Sequence, residues 1–336
     1  MKLAVVPVGA ASQMIPTLIS AGIADPGAKI SKGAGVRYVP LREGREQDAA
    51  EMGLGVADGD AFKRSARTPQ RRITERLSHL PADVLNGLPM RWEFVGDIVI
   101  IRLKGSAGPH KAEIGAAYAE ELGVRTVCAD TGGVSGELRK PATEILYGDN
   151  AESIRLENGI RYKFDVTKIM FASGNTDERN RMCKLDCKGE TVIDMFAGIG
   201  YFTLPIAKFT GAKEIIACEK NPDSFRYLEE NIRINGVTNV TPVLGDNRGL
   251  THRGADRIIM GYVQRTSEFL AKAKEMIKPG GTIHYHDTFY VSEYRERLDS
   301  IFSNVFGTNG FHIAGVREVK SFAPSVSHYV ADVTVL

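Results

Sequence analysis

Long apolar runs are the first thing this chain lacks: none approaches the ~20 residues that a helix needs to cross a bilayer. Cysteine is scarce as well. Cys128, Cys183, Cys187 and Cys218 make no paired framework, and no second ligand pair follows Cys183 and Cys187 at zinc-like spacing. No metal is expected, and reduced thiols are those of a cytoplasmic protein. Net charge is small too: 43 Lys and Arg against 41 Asp and Glu leave +2, too little to argue for a nucleic-acid partner by itself. The opening "MKLAVVPVGAASQ" imitates a signal peptide, but Pro7 ends its apolar run after about five residues, short of the ~7–15 usual there. It reads as a first strand and a turn. Internal repeats and low-complexity tracts are missing.

What is present is an ordinary globular composition, 43% hydrophobic and 25% charged, in a chain of 336 residues, long enough for two or three domains. Residues 1–41 read as a small αβ unit. Residues 42–70 read as a linker, because "REGREQDAAEMGLGVADGD" (42–60) is acid-rich with little apolar periodicity. A second αβ unit spans 71–172, with "SIRLENGIRYKFDV" and "KIMFA" as its last strands. From 173 to 336, strands and helices alternate, which predicts a parallel sheet. Seven strands are expected, the last two as an antiparallel hairpin, giving a doubly wound sheet with a reversed last strand. Basic residues cluster in "KRSARTPQRRITER" (63–76) and at Arg139 and Lys140, where phosphates could be contacted.

The loop "DMFAGIGYF" (194–202) joins the first strand of that sheet to its first helix. Gly198 and Gly200 let backbone approach a ligand. A dinucleotide fingerprint wants a third glycine where Thr203 stands, which counts against NAD. Glu219 ends the second strand, where a carboxylate can accept both ribose hydroxyls, and Asp246 ends the third, where it can accept from an adenine amino group. With Asp194, three acids stand at three successive strand ends, where such sheets bind ligands. The expectation is S-adenosylmethionine (SAM) on a Rossmann-like, class I SAM-dependent methyltransferase fold, preceded by smaller αβ domains.

The fourth strand, "DRIIMGYVQR" (256–265), complicates methyl transfer to nitrogen. It ends in Met260, Gly261, Tyr262 and Val263, with no Asn/Asp-Pro-Pro-aromatic loop to hold an amide. Together, "MFASGNTDERNRM", "DMFAGIGYFTLPIA", "ACEKNPDSFRYLEENIRIN", "GDNR" and "DRIIMGYVQRTSEFL" resemble the tRNA aminocarboxypropyltransferases of wybutosine synthesis, over about residues 86–336 and more loosely over 1–41. The resemblance implies transfer of the 3-amino-3-carboxypropyl group of SAM to C7 of 4-demethylwyosine at position 37 of phenylalanine tRNA. A ring carbon needs no amide clamp, so Met260 to Val263 would be an apolar wall, or simply the end of a buried strand.

Position by position, the resemblance places Asp194, Ala197 and Gly198 beside the methionine part of the cofactor, with Gly200 in the same loop. Glu219 would lie at the ribose, and Asp246 with Asn247 at the adenine. Phe171, Ser173, Asn175 and Arg179 would lie near the cofactor, and Ser173, Asn175 and Tyr262 are candidates for positioning the reactants. Glu178 and Arg179 match the family's "ER", yet could instead pair with each other or cap a helix. Arg139 and Lys140, and less so Arg248 and Arg265, are candidates for RNA contacts or for the transferred carboxylate. His284 and His286 read as core or sheet-end residues, His110 as a helix start, and no general base is evident. The implied partner is the anticodon loop of phenylalanine tRNA, met by a monomer whose residues 71–172 dock the RNA. The sister family of tRNA guanine-37 N1 methyltransferases is the near alternative. A small-molecule methyltransferase and a non-catalytic RNA-binding adaptor are the remote ones.

Overall fold

The computed structural model describes residues 1–60, 68–136, 138–263 and 265–336. Of the basic stretch 63–76, Lys63, Arg64 and Arg67 therefore lie outside the described residues. The chain divides into two compact units, Met1–Arg72 and Ile73–Leu336.

In the first unit, strands β1 (Lys2–Pro7), β2 (Ser31–Gly33), β3 (Val36–Pro40) and β4 (Gly55–Asp58) form an antiparallel sheet in the order β2-β3-β1-β4. Helices α1 (Ala11–Ser20) and α2 (Glu46–Glu51) belong to the same unit, and Ala4, Val6, Leu18, Val39 and Ala49 share its core. Residues 46–58 of the segment expected as a linker are thus built into the fold. Its β4 pairs with β1 from Lys2 opposite Asp58 to Val5 opposite Gly55. Few apolar residues are needed there: among the described residues Ala49 and Leu54 enter the core, and Met52 packs against it.

Helix α3 (Pro69–Arg76) leads into the second unit, where α4 (Ala82–Asn86) and α5 (Lys111–Leu122) accompany the strands β5 (Glu93–Val95), β6 (Ile98–Ile101), β7 (Thr126–Ser135) and β8 (Lys140–Tyr147), paired in that order. Next, β9 (Glu152–Glu157) and β10 (Ile160–Asp165) make a separate hairpin rather than one long strand. The turn at Asn158 and Gly159 puts both residues at positive φ, 50° and 77°, the Asn-Gly signature of a two-residue β-turn. The hairpin's open edge is closed by side chains. Asn231 accepts from the Lys163 N–H at 2.7 Å and donates to its carbonyl at 3.2 Å, and Asn235 does the same for Arg161 at 2.9 and 2.8 Å.

"KIMFA" forms no strand. Its backbone is held instead by the Tyr201 hydroxyl, which donates to the Met170 carbonyl. Nor does a core boundary fall at residue 172, since Tyr162, Phe164 and Ile169 share one core with Cys128 on one side and Ile199, Leu204 and Tyr227 on the other.

The main sheet contains β11 (Thr191–Asp194), β12 (Glu214–Glu219), β13 (Val240–Leu244), β14 (Ala255–Met260), β15 (Ile277–Tyr290), β16 (Phe311–Ala323) and β17 (Val326–Val335). Their order is β13-β12-β11-β14-β15-β17-β16, with β11 to β15 parallel and β17 reversed between β15 and β16. Helices α6 (Thr176–Met182), α7 (Thr203–Phe209), α8 (Pro222–Asn235), α9 (Leu270–Met276) and α10 (Tyr294–Phe306) connect or flank them. The near-continuous apolar runs of β11, β12 and β14 are what strands covered on both faces require. Asn221 caps α8, accepting from the Asp223 N–H at 3.0 Å, with Pro222 in the first turn and Gly236 in the left-handed conformation at its end. The order reverses between β11 and β14, which opens a crevice above their carboxyl ends.

Candidate cofactor and substrate cleft

That crevice is a cavity of about 220 Å³. Its floor is the glycine loop after β11. Gly198 has φ 57°, and a Cβ there would stand 2.6 Å from the Tyr201 ring. Glu219 enters from the end of β12, its two oxygens accepting the Gly198 and Asn221 N–H groups at 2.7 Å each. Burial pushes its pKa up, partly offset by those donors. With about four acceptor sites and a third backbone donor in Lys220, the carboxylate can still take a hydroxyl donor. Asp246 and Asn247 follow β13. Asp246 accepts from the Arg248 guanidinium at 2.6 and 2.8 Å, which holds its carboxyl well below the usual range.

Asn247 is buried and donates to the Met195 carbonyl at 2.9 Å, while its Oδ1 has no partner among the described residues. Asn175 Oδ1 is likewise buried and unpartnered, and both side chains line the cleft. A buried acceptor without a donor costs about 1–3 kcal/mol. Two of them facing one cavity fit a ligand that brings N–H or O–H groups, as the adenosine and amino-acid parts of SAM do.

Several residues expected at the cofactor are not among those that line the cavity. Asp194 is fully buried behind the loop, its oxygens taken by the Phe196 N–H at 3.2 Å and the Thr203 hydroxyl at 2.7 Å. Desolvation outweighs these bonds and raises its pKa to about 6. It shapes the loop from behind instead of lining the cavity. Ala197 packs against Ala217 and Leu228, and a Cβ on Gly200 would meet Leu204 at 2.7 Å, so both serve the loop's packing. Phe171 turns away from the cleft, stacked on Phe164 at 5.3 Å between the guanidinium groups of Arg155 and Arg179. Ser173 is exposed in the turn before α6, its carbonyl accepting from Thr176.

Arg179 reaches the cleft wall but is 2% exposed, bonded to Glu157 and donating to the Ala172 carbonyl at 2.9 Å. Glu178 pairs with Arg181 instead, so the two residues of "ER" do not pair with each other.

Tyr262 closes one side of the cavity, stacked on Phe196 with centroids 5.1 Å apart and planes 15° from parallel. Gly261 and Val263 line the same wall, whereas Met260 is buried in the core. Arg139 also lines the cleft; at φ 52° its exposed side chain takes no hydrogen-bond or ion-pair partner among the described residues. Lys140 is exposed outside the cavity wall. Arg248 is engaged with Asp246 and lies over Phe269, and Arg265 pairs with Glu268. Sequence reasoning missed Lys320, Phe322 and His328, which line the cleft from β16 and β17. Lys320 stands directly opposite His328 across that hairpin, a pairing only the strand register reveals.

Among known protein families, the TRM5/TYW2 methyltransferase domain matches residues 153–305, and the TYW2 N-terminal domain matches residues 73–151. The tRNA(Phe) (4-demethylwyosine(37)-C(7)) aminocarboxypropyltransferase of Pyrococcus horikoshii is 43% identical over 269 residues, 79% of this chain and 96% of that one. The chain belongs to this aminocarboxypropyltransferase family. Like it in fold is the crystal structure of P. horikoshii TYW2 in complex with MeSAdo, with a TM-score of 0.71 and 39% identity, covering 80% of this chain and 99% of that one. The family's sister is also in view: the tRNA (guanine(37)-N(1))-methyltransferase Trm5b of Pyrococcus abyssi is 33% identical, over 94% of this chain and 93% of its own length. The match to the TYW2 N-terminal domain and the higher identity place the chain on the aminocarboxypropyltransferase side.

Proposed function

We propose that the chain transfers the 3-amino-3-carboxypropyl group of SAM to C7 of 4-demethylwyosine at position 37 of phenylalanine tRNA, releasing methylthioadenosine. When bound, SAM supplies an electrophilic carbon beside a sulfonium leaving group. The cleft residues contribute positioning, which can supply about 7–11 kcal/mol of the barrier when two reactants are held in line. Glu219 and Asn247 hold the nucleoside end, and Gly198 lets the backbone come close. Asn175 presents its orphaned oxygen towards the amino-acid end. Lys320, a cation on the cavity wall, suits the carboxylate of the transferred group, and Arg139 on the same wall is left for RNA phosphates. The wall of Tyr262 stacked on Phe196 offers a flat apolar surface for a tricyclic base, with no amide clamp for a ring nitrogen. That wall is the observation that carries the choice of carbon over nitrogen. The RNA is met through the anticodon loop by a monomer, with residues 71–172 as the docking surface.

The experiment incubates the protein with tRNA bearing 4-demethylwyosine and SAM labelled in either the methyl or the carboxyl carbon. Carboxyl label in the RNA, with methylthioadenosine released, is the expected result. Methyl label in the RNA would make the chain a methyltransferase.

A further inference from the structure

Carbon–carbon bond formation leaves a chemical demand that the cleft's cofactor residues do not meet. When C7 attacks the transferred carbon, the new C–C bond forms as the C–S bond breaks, and that electron pair stays on sulfur. The base then carries a positive charge and still holds its C7 hydrogen. Aromaticity returns only when a group removes that proton and the C–H electron pair falls back into the ring.

His328 stands where such a group is needed. It is 2% exposed, yet it lines the cleft, as do Tyr262 and Asn175. The register places it: β14 ends at Met260 opposite Tyr285, and His328 pairs with Thr288, three residues further along β15. The imidazole thus sits just beyond the carboxyl ends of the parallel strands, above which the ligand binds. Behind it lies His286, whose Nδ1 is 3.2 Å from His328 Nε2 and whose ring stacks on Phe202 at 5.0 Å. His286 Nε2 has no hydrogen-bond partner among the described residues, and the Glu178 carboxylate is 3.8 Å from it.

With the His286 proton placed on Nε2, towards the carboxylate, its Nδ1 would accept from His328 Nε2–H, and Nδ1 of His328 would be the basic nitrogen.

Resting on the reaction proposed above, we propose that His328 is the general base that takes the C7 proton, with His286 as a positioning residue that receives charge from it. His328 Nδ1 accepts the proton; its Nε2–H can then pass to His286 Nδ1, and the positive charge moves towards Glu178. Burial, with the charges of Lys320 on β16 and Arg139 added, holds the pKa of His328 down at about 4. Around His286 stand His284, Arg181 and Asp332, and burial keeps His286 neutral. A neutral, weak base suffices, since the carbon acid it meets is a cation. General-base assistance contributes about 10²–10⁴-fold.

The test is single-turnover transfer of carboxyl-labelled SAM to tRNA carrying hydrogen or deuterium at C7, for the wild type, His328→Ala and His328→Asn. Binding of SAM and tRNA by each is measured alongside. In the wild type attack limits the rate, and the isotope effect is near one. His328→Ala should lose about 100-fold in rate while both affinities stay within threefold. Its isotope effect should rise above two, and added imidazole should restore part of the rate. A second readout needs no turnover: the His328 imidazole NMR signals should titrate below pH 5 and shift when the demethylwyosine RNA binds. Unchanged rate in both variants would overturn the proposal, as would slow transfer with no isotope effect and no imidazole rescue. Methyl label from the wild type would instead overturn the reaction itself, a result the variants cannot mimic.

Discussion

Asp194 shows how one residue can be picked out in the sequence while its surroundings stay hidden there. An acid ending the first strand of a doubly wound sheet looks the same in sequence whether it faces the ligand or the loop behind it. Here it faces the loop, with both oxygens occupied and no exposure. A carboxyl that binds its proton more tightly in the fold than in the unfolded chain favours folding most at low pH. That advantage is lost as pH climbs from about 4 through about 6. At 1.36 kcal/mol for each tenfold change in proton affinity, the loss is roughly 3 kcal/mol. Asp194→Asn should therefore be less stable than the wild type at pH 4 relative to their difference at pH 7, by about that amount, in urea unfolding of the ligand-free protein. Parallel stability–pH curves would show that Asp194 does not titrate in this range.

Glu219, Asp246, Asn247 and Gly198 were legible because each directly ends or follows a strongly periodic strand. His328 and Lys320 were not, because what brings them to the cleft is pairing across a hairpin and with a strand some forty residues away.

At the scale of elements, the parallel strands and α8 could be read directly from apolar runs and from Asn221-Pro222 with Gly236. The hairpin β9–β10 could not be placed, since its partner is a pair of asparagines on a helix nearly seventy residues later. Polar residues on a helix ordinarily read as its solvated face. Asn231 is fully buried, and besides Lys163 it donates to the Ile199 carbonyl at 3.1 Å. Asn231→Ala leaves one N–H and two carbonyls without this partner, so a loss of about 2–4 kcal/mol is expected in chemical denaturation. Asn235→Ala, at a half-buried site, should cost about 1 kcal/mol. A loss at Asn231 no larger than at Asn235 would mean that water replaces the amide freely.

For the whole molecule, net charge said little, and the placement of a few cations says more. Arg139 lines the cleft and Lys140 begins the strand beside it, both exposed. If they meet RNA phosphates, Arg139→Ser with Lys140→Ser should weaken tRNA binding by tenfold or more. The slope of log affinity against log salt should flatten by about 1.4–1.8. SAM binding should change less than twofold. An equal loss for both ligands would assign Arg139 to the transferred carboxylate rather than to docking.

The same arrangement bears on turnover. The cleft carries carboxylates at Glu219 and Asp246 and cations at Arg139 and Lys320. SAM arrives with a sulfonium, an ammonium and a carboxylate that can answer those charges. After transfer, the ammonium and carboxylate belong to the RNA and the sulfur is a neutral thioether. Methylthioadenosine thus keeps its hydrogen bonds to the nucleoside end but none of its charge complementarity, so the step that makes the product also loosens it.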